Sequence, residues 1–548
     1  MTRSHKPPLL TALSVFSLAC LVGISTFACP SQARAREAQK KPKVGKQSSV
    51  KQNSAKPAAK AAFGGDLNLA VKTWLNRPEI RHSRVGVEVM DLATGTVLFQ
   101  SSGDKRHTPA STAKVITTAC LYDLLGRDFV YKTKLLTAGT IKDGVLNGDL
   151  ALETSEDPSF SRGDLASLVL SLRNFDGDKS GVKLQAVKGK IYQLSPNNGA
   201  DNFHVHWLLE DFGQEWMPVS SSLVVDKNIA YSAGIPSTIK IDDGGSSLNS
   251  VLDGVLSADL ASAFLIFDES TQTAKLCRGI ASGSNGKPDP KVHKDGPFVV
   301  ANPTAFNLAL FSSTLAESGV EFDRRILRDS KVPGFLAKQP TLVLAEHSSK
   351  PLPQLIKLCL YESDNLYAQQ FLRTIAQIGL NADKQGGGKL ASKRTSDLEE
   401  RGLARIGQWL SSIAVPNAEV ILFDGCGLSR KNSVTPHALN LVLRYMAQKH
   451  PEYLDLLRSQ GAGKGESGRF RFKTGAMETV RGITGVLDTA QGKKLAVTVL
   501  VNGHKASVSD VRIVIADLIE RLRRVNIKEA NSKEDNKADK TPTAAESN

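Results

Sequence analysis

Strand patterns occur near both ends of the part of the chain that is expected to fold, and the two groups together can form one sheet. Near the start, Arg84–Ser101 alternates apolar and polar residues around a turn at Thr94-Gly95, which predicts a β-hairpin. Near the end, residues 469–502 predict at least two antiparallel strands, and residues 511–522 then follow the period of an amphipathic helix. Helical patterns precede this second group. The arrangement predicts one α/β domain built from both ends of the chain, with whatever lies between inserted into it.

The middle of the chain differs in pattern. From about residue 129 to 302 it has short β-like runs such as Val182–Tyr192, Ser220–Val225 and Ala230–Ile241, with one helical segment around residues 165–172. Helical periodicity returns at residue 302. We therefore expect residues 65–145 and 301–525 to form the α/β domain, and residues 146–300 to form a mostly β insertion of two domains.

Both termini are polar or show a targeting pattern. Residues 1–35 have a basic start, an apolar run over residues 9–28 and the small-residue pattern Ala33-Arg34-Ala35, which are typical of a secretory signal peptide. An uncleaved membrane anchor is the alternative. Residues 36–64 are rich in Lys, Ala, Ser and Gln and predict a disordered linker, and residues 526–548 predict a disordered tail. The sequence thus predicts export to the periplasm or cell wall.

The formal net charge of +15 is concentrated in these ends. Residues 1–35 carry +3, residues 36–64 carry +7 and the tail carries −1, which leaves +6 on the part that folds. This small net positive charge gives little support for binding nucleic acid. The basic linker is suited to weak contact with an anionic membrane or wall surface, or simply to solubility.

Cysteine and metal-ligand patterns point to no cofactor. Four cysteines remain after cleavage at residue 35, and they permit three disulfide pairings or buried free thiols; they are Cys120, Cys277, Cys359 and Cys426. No CxxC pair or histidine cluster with metal spacing occurs, so we expect neither a metal nor an organic cofactor.

Ser111 begins a Ser-x-x-Lys motif at the start of an apolar helix. The same spacing occurs in five polar or extended segments, so the motif alone decides nothing. Only Ser111 and Lys114 lie in the first turn of a helix whose other residues are mostly apolar, where residues three apart share one face. A lysine on such a face is unusual because an unpaired ammonium is costly to bury. This context favours a nucleophile and its base.

Two further motifs follow in order: Ser363-Asp364-Asn365, in a break between helices, and Lys473-Thr474-Gly475, at the end of a strand. Together the three motifs are typical of serine enzymes that recognise penicillin. A serine hydroxyl needs a base, which Lys114 provides if its ammonium loses a proton readily. Each motif alone also has an ordinary structural explanation, as a helix start, a helix cap or an edge-strand charge.

Four longer segments of the sequence also resemble a known protein family. The segments NGDLALETSEDPSFS (147–161), WMPVSSSLVVDKN (216–228), ESDNLYAQQFLRTI (362–375) and DGCGLSRKN (424–432) resemble the class C low-molecular-mass penicillin-binding proteins, which are serine D-alanyl-D-alanine carboxypeptidases and endopeptidases. The resemblance covers about residues 65–525. It implies an α/β transpeptidase/β-lactamase-like domain, an antiparallel sheet flanked by helices, interrupted by two extra domains. Cys426 stands where the family usually has serine.

The resemblance also implies roles for individual residues. Ser111 would attack the peptide bond between D-amino acids of peptidoglycan stem peptides, with Lys114 as base and with Ser363 and Asn365 assisting proton transfer and orientation. The substrate-binding residues would be Lys473 and Thr474 for the terminal carboxylate, Gly475 for space beside the strand, and the N–H groups of Ala476 and Ser111 for the oxyanion. β-Lactams would acylate Ser111.

Two other functions stay open at this point. A class A β-lactamase needs an additional carboxylate base, and no convincing Glu-x-x-Leu-Asn segment lies between Asn365 and Lys473. A non-catalytic wall-binding protein of the same fold is the other alternative, and the intact motifs argue against it. The sequence does not separate carboxypeptidase from endopeptidase activity.

Overall fold

In the computed structural model, the described residues are 67–524 apart from 177–180, 196–200, 202, 209–210, 243–263, 278–295, 324–325, 329–340, 387–397 and 462–467. The predicted signal peptide, linker and tail lie outside these residues. Within them, no helix is both long and apolar enough to cross a membrane.

The helices, in chain order, are α1 Leu67–Leu75, α2 Lys114–Leu125, α3 Arg162–Arg173, α4 Pro303–Glu317, α5 Leu352–Glu362, α6 Asn365–Gly386, α7 Leu398–Ser412, α8 Pro436–Lys449 and α9 Val508–Arg524. A short 3₁₀ turn, Ala110–Ala113, runs directly into α2. The strands are β1 Arg84–Asp91, β2 Val97–Ser101, β3 Lys132–Thr137, β4 Thr140–Lys142, β5 Val145–Asn147, β6 Leu150–Glu153, β7 Ala186–Val187, β8 Ile191–Leu194, β9 Ile229–Ala230, β10 Lys240–Asp242, β11 Phe264–Asp268, β12 Thr273–Cys277, β13 Phe298–Val300, β14 Ile326–Arg328, β15 Leu342–Ser348, β16 Val420–Ile421, β17 Ser433–Val434, β18 Arg458–Gln460, β19 Phe470–Met477, β20 Val480–Asp488 and β21 Lys494–Asn502.

The main sheet joins the two ends of the chain, as the sequence predicts. Its six strands run in the order β18-β19-β20-β21-β1-β2, and every neighbouring pair is antiparallel. The predicted first hairpin is β1 and β2, and the turn at Gln491-Gly492 joins β20 to β21. Val87 in β1 pairs with Val499 in β21, so residues more than 400 positions apart hold the sheet together.

Helices cover both faces of this sheet, and its central strands are therefore buried on both sides. Val87 and Val89 pack with the inner faces of α1 and α9, where the Trp74 indole N–H donates to the Val514 carbonyl at 2.6 Å. Met90, on the opposite face, packs with α2, α5, α6 and α8 in the largest core cluster. The motif-bearing segments meet between this second helical layer and the sheet.

The insertion has its own core and two five-stranded sheets, ordered β14-β8-β6-β3-β15 and β10-β12-β11-β13-β9. The first sheet includes β3 and β15, and α4 packs in the same core. Segments that the sequence assigns to the α/β domain, before residue 146 and after residue 300, thus lie with the insertion. We propose that the insertion extends from about residue 132 to 348.

Ser220–Val225 is not a strand, although its apolar composition predicts one. These residues are buried with an irregular backbone, and hydrogen bonds within and around the segment take the place of a strand ladder. The Ser221 hydroxyl donates to the Leu223 carbonyl at 2.8 Å, and the Asn228 amide donates to the Val219 carbonyl at 2.8 Å. Burial against neighbouring segments outweighs strand propensity here.

Three of the four cysteines are free and buried: Cys120, Cys359 and Cys426. The side chain of Cys277 lies outside the described residues. Burial raises the pKa of the Cys359 thiol to about 12. The alternative of buried free thiols therefore holds for these three residues.

Candidate active site

Ser111 lies in a 3₁₀ turn that two other backbone segments clamp. The preceding residue, Ala110, has a φ of 48°, a left-handed conformation that costs energy for alanine. A Cβ on Gly427 would lie 2.0 Å from the Ala110 carbonyl oxygen, and one on Gly475 would lie 2.5 Å from the Pro109 carbonyl oxygen. Only glycine permits these approaches, so the backbone around Ser111 is fixed from both sides.

Gly475 thus has a different place from the one that the resemblance implies. The space beside its α-carbon is filled by the Pro109–Thr112 backbone rather than left open for a substrate. The glycine lets β19 pack directly against the turn that carries Ser111.

The Lys114 ammonium is fully buried and lies at the centre of the site. Its Nζ is 3.0 Å from Ser111 Oγ, 2.6 Å from Asn365 Oδ1 and 2.7 Å from the Cys426 carbonyl oxygen. Three oxygen partners compensate the loss of water around this nitrogen. One turn of helix therefore delivers a nitrogen within hydrogen-bonding distance of a partly exposed serine hydroxyl.

Ser363 and Asn365 come from the junction of α5 and α6. Ser363 ends α5 in a left-handed conformation, with φ of 59° and ψ of 32°, and α6 begins at Asn365. The Asn365 side chain accepts from Lys114 through Oδ1, and its Nδ2 donates to the Trp216 carbonyl at 2.5 Å. The break predicted from the sequence is present, and it turns both side chains toward Ser111.

Lys473 reaches the site from β19. Its side chain is 2% exposed, and its Nζ donates to Ser363 Oγ at 2.9 Å and to the Thr474 carbonyl at 2.9 Å. Burial, and secondly the positive charge of Lys114, lower the pKa of Lys473 to about 7. The two buried lysines are thus linked to the serines of the first two motifs, and one of them titrates near neutral pH.

A cavity of about 600 Å³ opens beside Ser111. Residues from both the α/β domain and the insertion line it: Ser111, Leu208, Asp211, Trp216, Met217, Glu362, Ser363, Asn365, Leu428, Arg430, Ala476, Met477 and Glu478. Ala476 is one of these lining residues. Thr474 does not line this cavity: it is exposed on the other face of β19, in a neighbouring cavity of about 410 Å³.

The DGCGLSRKN segment supports Lys114 through its backbone. The buried Asp424 carboxylate accepts from the Gly427 and Ser429 N–H groups, at 2.7 and 2.6 Å, and from the Asn432 amide at 2.8 Å. These bonds hold the turn whose Cys426 carbonyl contacts Lys114. The Cys426 side chain packs in the core, so the exchange of serine for cysteine leaves the carbonyl that meets Lys114 in place.

The insertion contributes contacts that sequence reasoning missed. The Trp216 carbonyl holds Asn365, and the Lys227 ammonium lies 2.7 Å from a carboxylate oxygen of Asp364, the middle residue of the second motif. Lys227 is the centre of Asp226-Lys227-Asn228, three consecutive residues with positive φ. Both residues lie within WMPVSSSLVVDKN, but no local pattern identifies which of its side chains reaches the site.

Among the described residues, no group of three or more His, Cys, Asp or Glu side chains is arranged to hold a metal ion. The polar groups that converge on Ser111 are lysine, serine and asparagine side chains together with backbone carbonyls. Such a set is suited to proton transfer and acyl transfer at a serine.

Comparisons with known proteins show the family and the fold. A family model described as "D-Ala-D-Ala carboxypeptidase 3 (S13) family" matches residues 67–523. The chain is 26% identical over 472 residues to the D-alanyl-D-alanine carboxypeptidase DacB of Haemophilus influenzae, covering 81% of this chain and 90% of the relative. It is 24% identical to a D-alanyl-D-alanine carboxypeptidase of Actinomadura sp. strain R39, covering 82% and 84%. The crystal structure of penicillin binding protein 4 (dacB) from Haemophilus influenzae superposes with a TM-score of 0.62 at 22% identity, covering 82% of this chain and 98% of that one.

Proposed function

Because the chain belongs to the D-Ala-D-Ala carboxypeptidase 3 (S13) family, we propose that it is a serine peptidase that releases the terminal D-alanine of peptidoglycan stem peptides through an acyl-enzyme on Ser111. Relatives over most of its length are named D-alanyl-D-alanine carboxypeptidases. Cleavage of crosslinks as an endopeptidase is compatible with the same chemistry, since both reactions break a bond on the carbonyl side of a D-amino acid.

One observation carries this proposal: the buried Lys114 Nζ lies 3.0 Å from Ser111 Oγ. The three N–H groups of the Lys114 ammonium match three oxygen acceptors: Ser111 Oγ, Asn365 Oδ1 and the Cys426 carbonyl. In the neutral form that a general base requires, Asn365 and Cys426 would keep the two N–H groups, and the lone pair would face the Ser111 hydroxyl. The contacts of Lys114 therefore match those of a general base for a serine nucleophile.

In acylation, Ser111 Oγ transfers its proton to Lys114 as it bonds to the substrate carbonyl carbon. The oxyanion that forms is held by the backbone N–H groups of Ser111 and Ala476, which border the same cavity. Collapse of this intermediate breaks the C–N bond. The leaving nitrogen takes its proton from the Ser363 hydroxyl, which Lys473 holds at 2.9 Å. Ser363 in turn takes up the proton that Lys114 received, so both groups return to their starting states before deacylation.

Deacylation repeats the same steps with water as the nucleophile. Water gives a proton to Lys114 as its oxygen bonds to the ester carbon. Ser111 Oγ then recovers this proton from Lys114 as its bond to the acyl group breaks. A β-lactam would acylate Ser111 by opening its ring, and a penicillin binding protein 4 of the same fold has been solved with a β-lactam bound.

Export is part of the proposal, since the substrate lies outside the cytoplasmic membrane. The predicted signal peptide at residues 1–35 would carry the chain across it, and the basic linker at residues 36–64 would make weak contact with an anionic membrane or wall surface. Mass analysis of the protein from its periplasmic or wall fraction checks the cleavage: a start near residue 36 supports it, and an intact N-terminus would leave an anchor.

The central test uses Ser111→Ala. Wild-type protein should release D-alanine from purified muropeptides and form a stable one-to-one penicilloyl adduct on Ser111, detected by mass spectrometry. The variant should lose both. Hydrolysis that persists in Ser111→Ala would remove the catalytic assignment, rapid turnover of penicillin by the wild type would favour a β-lactamase, and absence of both reactions in a folded wild type would favour a wall-binding protein.

A further inference from the structure

A line of polar side chains crosses the main sheet and ends at Lys473. Glu88 of β1 pairs with Thr498 of β21. Thr498 pairs in turn with Thr484 of β20, and Thr484 pairs with Lys473 of β19. Directly paired residues of neighbouring strands point to the same face of a sheet, so these four side chains lie side by side. Lys473 is 2% exposed and the other three are 0% exposed, so the line runs entirely within the core.

The hydrogen bonds along this line all point in one direction. Asn440 Nδ2, from α8, lies 3.0 Å from Glu88 Oε1 and 3.2 Å from the Glu88 carbonyl oxygen, so Nδ2 donates and Oδ1 is left to accept. The Thr498 hydroxyl donates to that Oδ1 at 2.7 Å. Because a hydroxyl has one hydrogen, the 2.6 Å contact between Thr484 and Thr498 is donated by Thr484. We call Glu88, Asn440, Thr498 and Thr484 the polar row; its last hydroxyl points its hydrogen away from β19.

The far end of the polar row is a buried carboxylate with a second donor. His437 Nδ1, from α8, lies 2.9 Å from Glu88 Oε2, and the His437 side chain is 29% exposed. The hydrogen bond to Glu88 raises the pKa of His437, and Glu88 and Glu419 are the acids that face this imidazole. The carboxylate is therefore held by one donor on the solvent side and by Asn440 on the side of the sheet.

The near end of the polar row lies beside an ammonium that is costly to keep charged. Lys473 donates to Ser363 Oγ at 2.9 Å, and burial and then the charge of Lys114 lower its pKa to about 7. Among the described residues, the groups that affect this pKa are Lys114, Arg458 and Cys359. None of them is an anion at neutral pH, since burial raises the pKa of the Cys359 thiol to about 12. A dipole whose oxygen faces Lys473 would favour its charged form.

We propose that the polar row consists of positioning residues for Lys473: its aligned hydrogen bonds carry the polarisation of the Glu88 carboxylate across the sheet and keep the Lys473 ammonium charged while it holds Ser363. The inference rests on the proposed function, in which the Ser363 hydroxyl gives a proton to the leaving nitrogen, because a charged donor on Oγ makes that hydroxyl more acidic. Glu88 and Lys473 are three strand spacings apart, roughly 14 Å. Hydrogen bonds that point the same way polarise one another in a protein interior, so the row can act over this distance.

The test follows Lys473 directly, by NMR of protein labelled with ¹³C at the lysine ε-carbons. Lys473→Met identifies its signal, and exposed lysines titrate far away, near about 10.4. Thr484→Val keeps the shape of the side chain and removes the hydroxyl, so we expect the titration midpoint of Lys473 to fall by about 0.5–1 pH unit. Thr489→Val is the control: it removes another buried threonine hydroxyl, which accepts from the Lys493 N–H at 3.1 Å, and should leave the midpoint unchanged.

Acylation by a fluorescent penicillin should show the same change. With a lower midpoint, fewer molecules carry a charged Lys473 above pH 7, so Thr484→Val should be acylated about 3- to 10-fold more slowly than wild type at pH 8.5 and within about twofold at pH 5.5. A defect of packing alone would slow both rates equally. Thr484→Ser keeps the hydroxyl and should keep the wild-type pH profile.

A double variant tests whether Glu88 acts through the polar row. Glu88→Gln removes the charge and should also lower the Lys473 midpoint, but in the Thr484→Val background it should add less than about 0.3 pH unit, because the row is already interrupted. A larger added shift would mean that Glu88 acts through space, and it overturns the inference. An unchanged midpoint in Thr484→Val, or an equal shift in Thr489→Val, also overturns it.

The outcomes distinguish this inference from the proposed function. Wild-type protein that neither hydrolyses muropeptides nor forms a penicilloyl adduct contradicts the proposed function, whereas the NMR titration needs no turnover and still reports on the polar row. Circular dichroism and thermal unfolding check the folding of each variant. Should Glu88→Gln not fold, Thr498→Val interrupts the row at its middle and takes its place in the double variant, with the same expected result.

Discussion

At the scale of single residues, the site is defined by two ammonium groups that lie almost entirely out of water. Lys114 is 0% exposed and Lys473 is 2% exposed, and each contacts a serine hydroxyl. Burying two amino groups close together costs stability, because each is poorly solvated when it is charged. For Lys473 the cost appears as a pKa of about 7, lowered first by burial and then by Lys114.

Replacing Lys473 by methionine should therefore make stability less dependent on pH. The folded wild type releases the Lys473 proton near pH 7, whereas the unfolded chain releases it near 10.5, so between these values the unfolded state binds more protons and wild-type stability rises with pH. Lys473→Met has no titrating group at this residue, so its stability lacks this pH-dependent contribution. We expect the variant to be more stable at pH 6 by about 2–4 kcal/mol, and the difference to close by about 1.4 kcal/mol per pH unit above pH 7.

Calorimetric unfolding midpoints at pH 6, 7, 8 and 9 check this expectation. Lys105→Met removes a lysine that is 71% exposed and should leave the pH dependence unchanged. Parallel curves for wild type and Lys473→Met would contradict a depressed pKa at this residue.

At the scale of elements, the close contact between β19 and the Ser111 turn is the feature that a small change should break. A methyl group at residue 475 would lie 2.5 Å from the Pro109 carbonyl oxygen and 3.1 Å from the Thr112 nitrogen, and both are backbone atoms of the turn. Gly475→Ala should therefore move Ser111, slow acylation by a fluorescent penicillin at least about 100-fold, and lower stability by about 1–3 kcal/mol.

Gly407→Ala is the matched control. Gly407 lies within α7 with nothing within 4 Å of an added Cβ, so alanine should leave acylation unchanged and raise stability by up to about 1 kcal/mol. Normal acylation by Gly475→Ala would show that the strand and the turn can separate without displacing the nucleophile.

The left-handed turn Asp226-Lys227-Asn228 of the insertion should also help to position the second motif, Ser363-Asp364-Asn365. Lys227 is half exposed, but it pairs with an Asp364 side chain that is 13% exposed, between Ser363 and Asn365. Lys227→Met should release this junction and lower the penicillin acylation rate about tenfold, with little loss of stability because partly exposed ion pairs stabilise weakly. Lys227→Arg should restore most of the rate.

Lys132→Met is the control for this effect, since it breaks an exposed ion pair with Glu346 inside the insertion sheet, 2.8 Å long. If the Lys132 and Lys227 variants acylate equally fast, the insertion does not position the second motif through Lys227.

Local patterns could predict much of the site but little of its support. Ser111, Lys114 and Lys473 were identifiable because each lies in a short motif on a regular element, and the structure brings these motifs together. The supports could not be predicted, because they depend on contacts between distant segments: the Trp216 carbonyl meets Asn365 across 149 positions, and the Cys426 carbonyl meets Lys114 across 312. A backbone carbonyl has no signature in sequence.

At the scale of the whole molecule, local patterns again predict the strands better than they predict which distant strands pair in a sheet. The antiparallel sheet formed by both ends followed from strand alternation and from the hairpin and helix patterns. The membership of β3 and β15 in the insertion sheet did not, since both strands border helices of the α/β domain in sequence and their pairing is decided by tertiary packing. With the boundaries that we propose, the insertion begins and ends closer to the motifs than composition predicts.

A buried ion pair joins the insertion to the motif-bearing helix α6, and it carries the last prediction. Arg373 of α6 and Glu156, in the loop between β6 and α3, are 2% and 0% exposed and lie 2.9 Å apart. The Gln377 amide also donates to the Glu156 carboxylate at 3.0 Å. Because one charge of a buried pair cannot be hydrated when the other is removed, Arg373→Met should lower stability by about 3–5 kcal/mol.

The loss should depend on the charge that remains. In Arg373→Met the buried Glu156 carboxylate loses its countercharge but keeps the Gln377 contact, and the change in unfolding midpoint measures the cost. Glu156→Gln combined with Arg373→Met should recover part of the loss, whereas Lys132→Met, which breaks an exposed pair, should cost less than about 1 kcal/mol. If the double variant is no more stable than Arg373→Met, the pair stabilises the interface through packing rather than through charge, and the insertion is held to α6 by its apolar contacts.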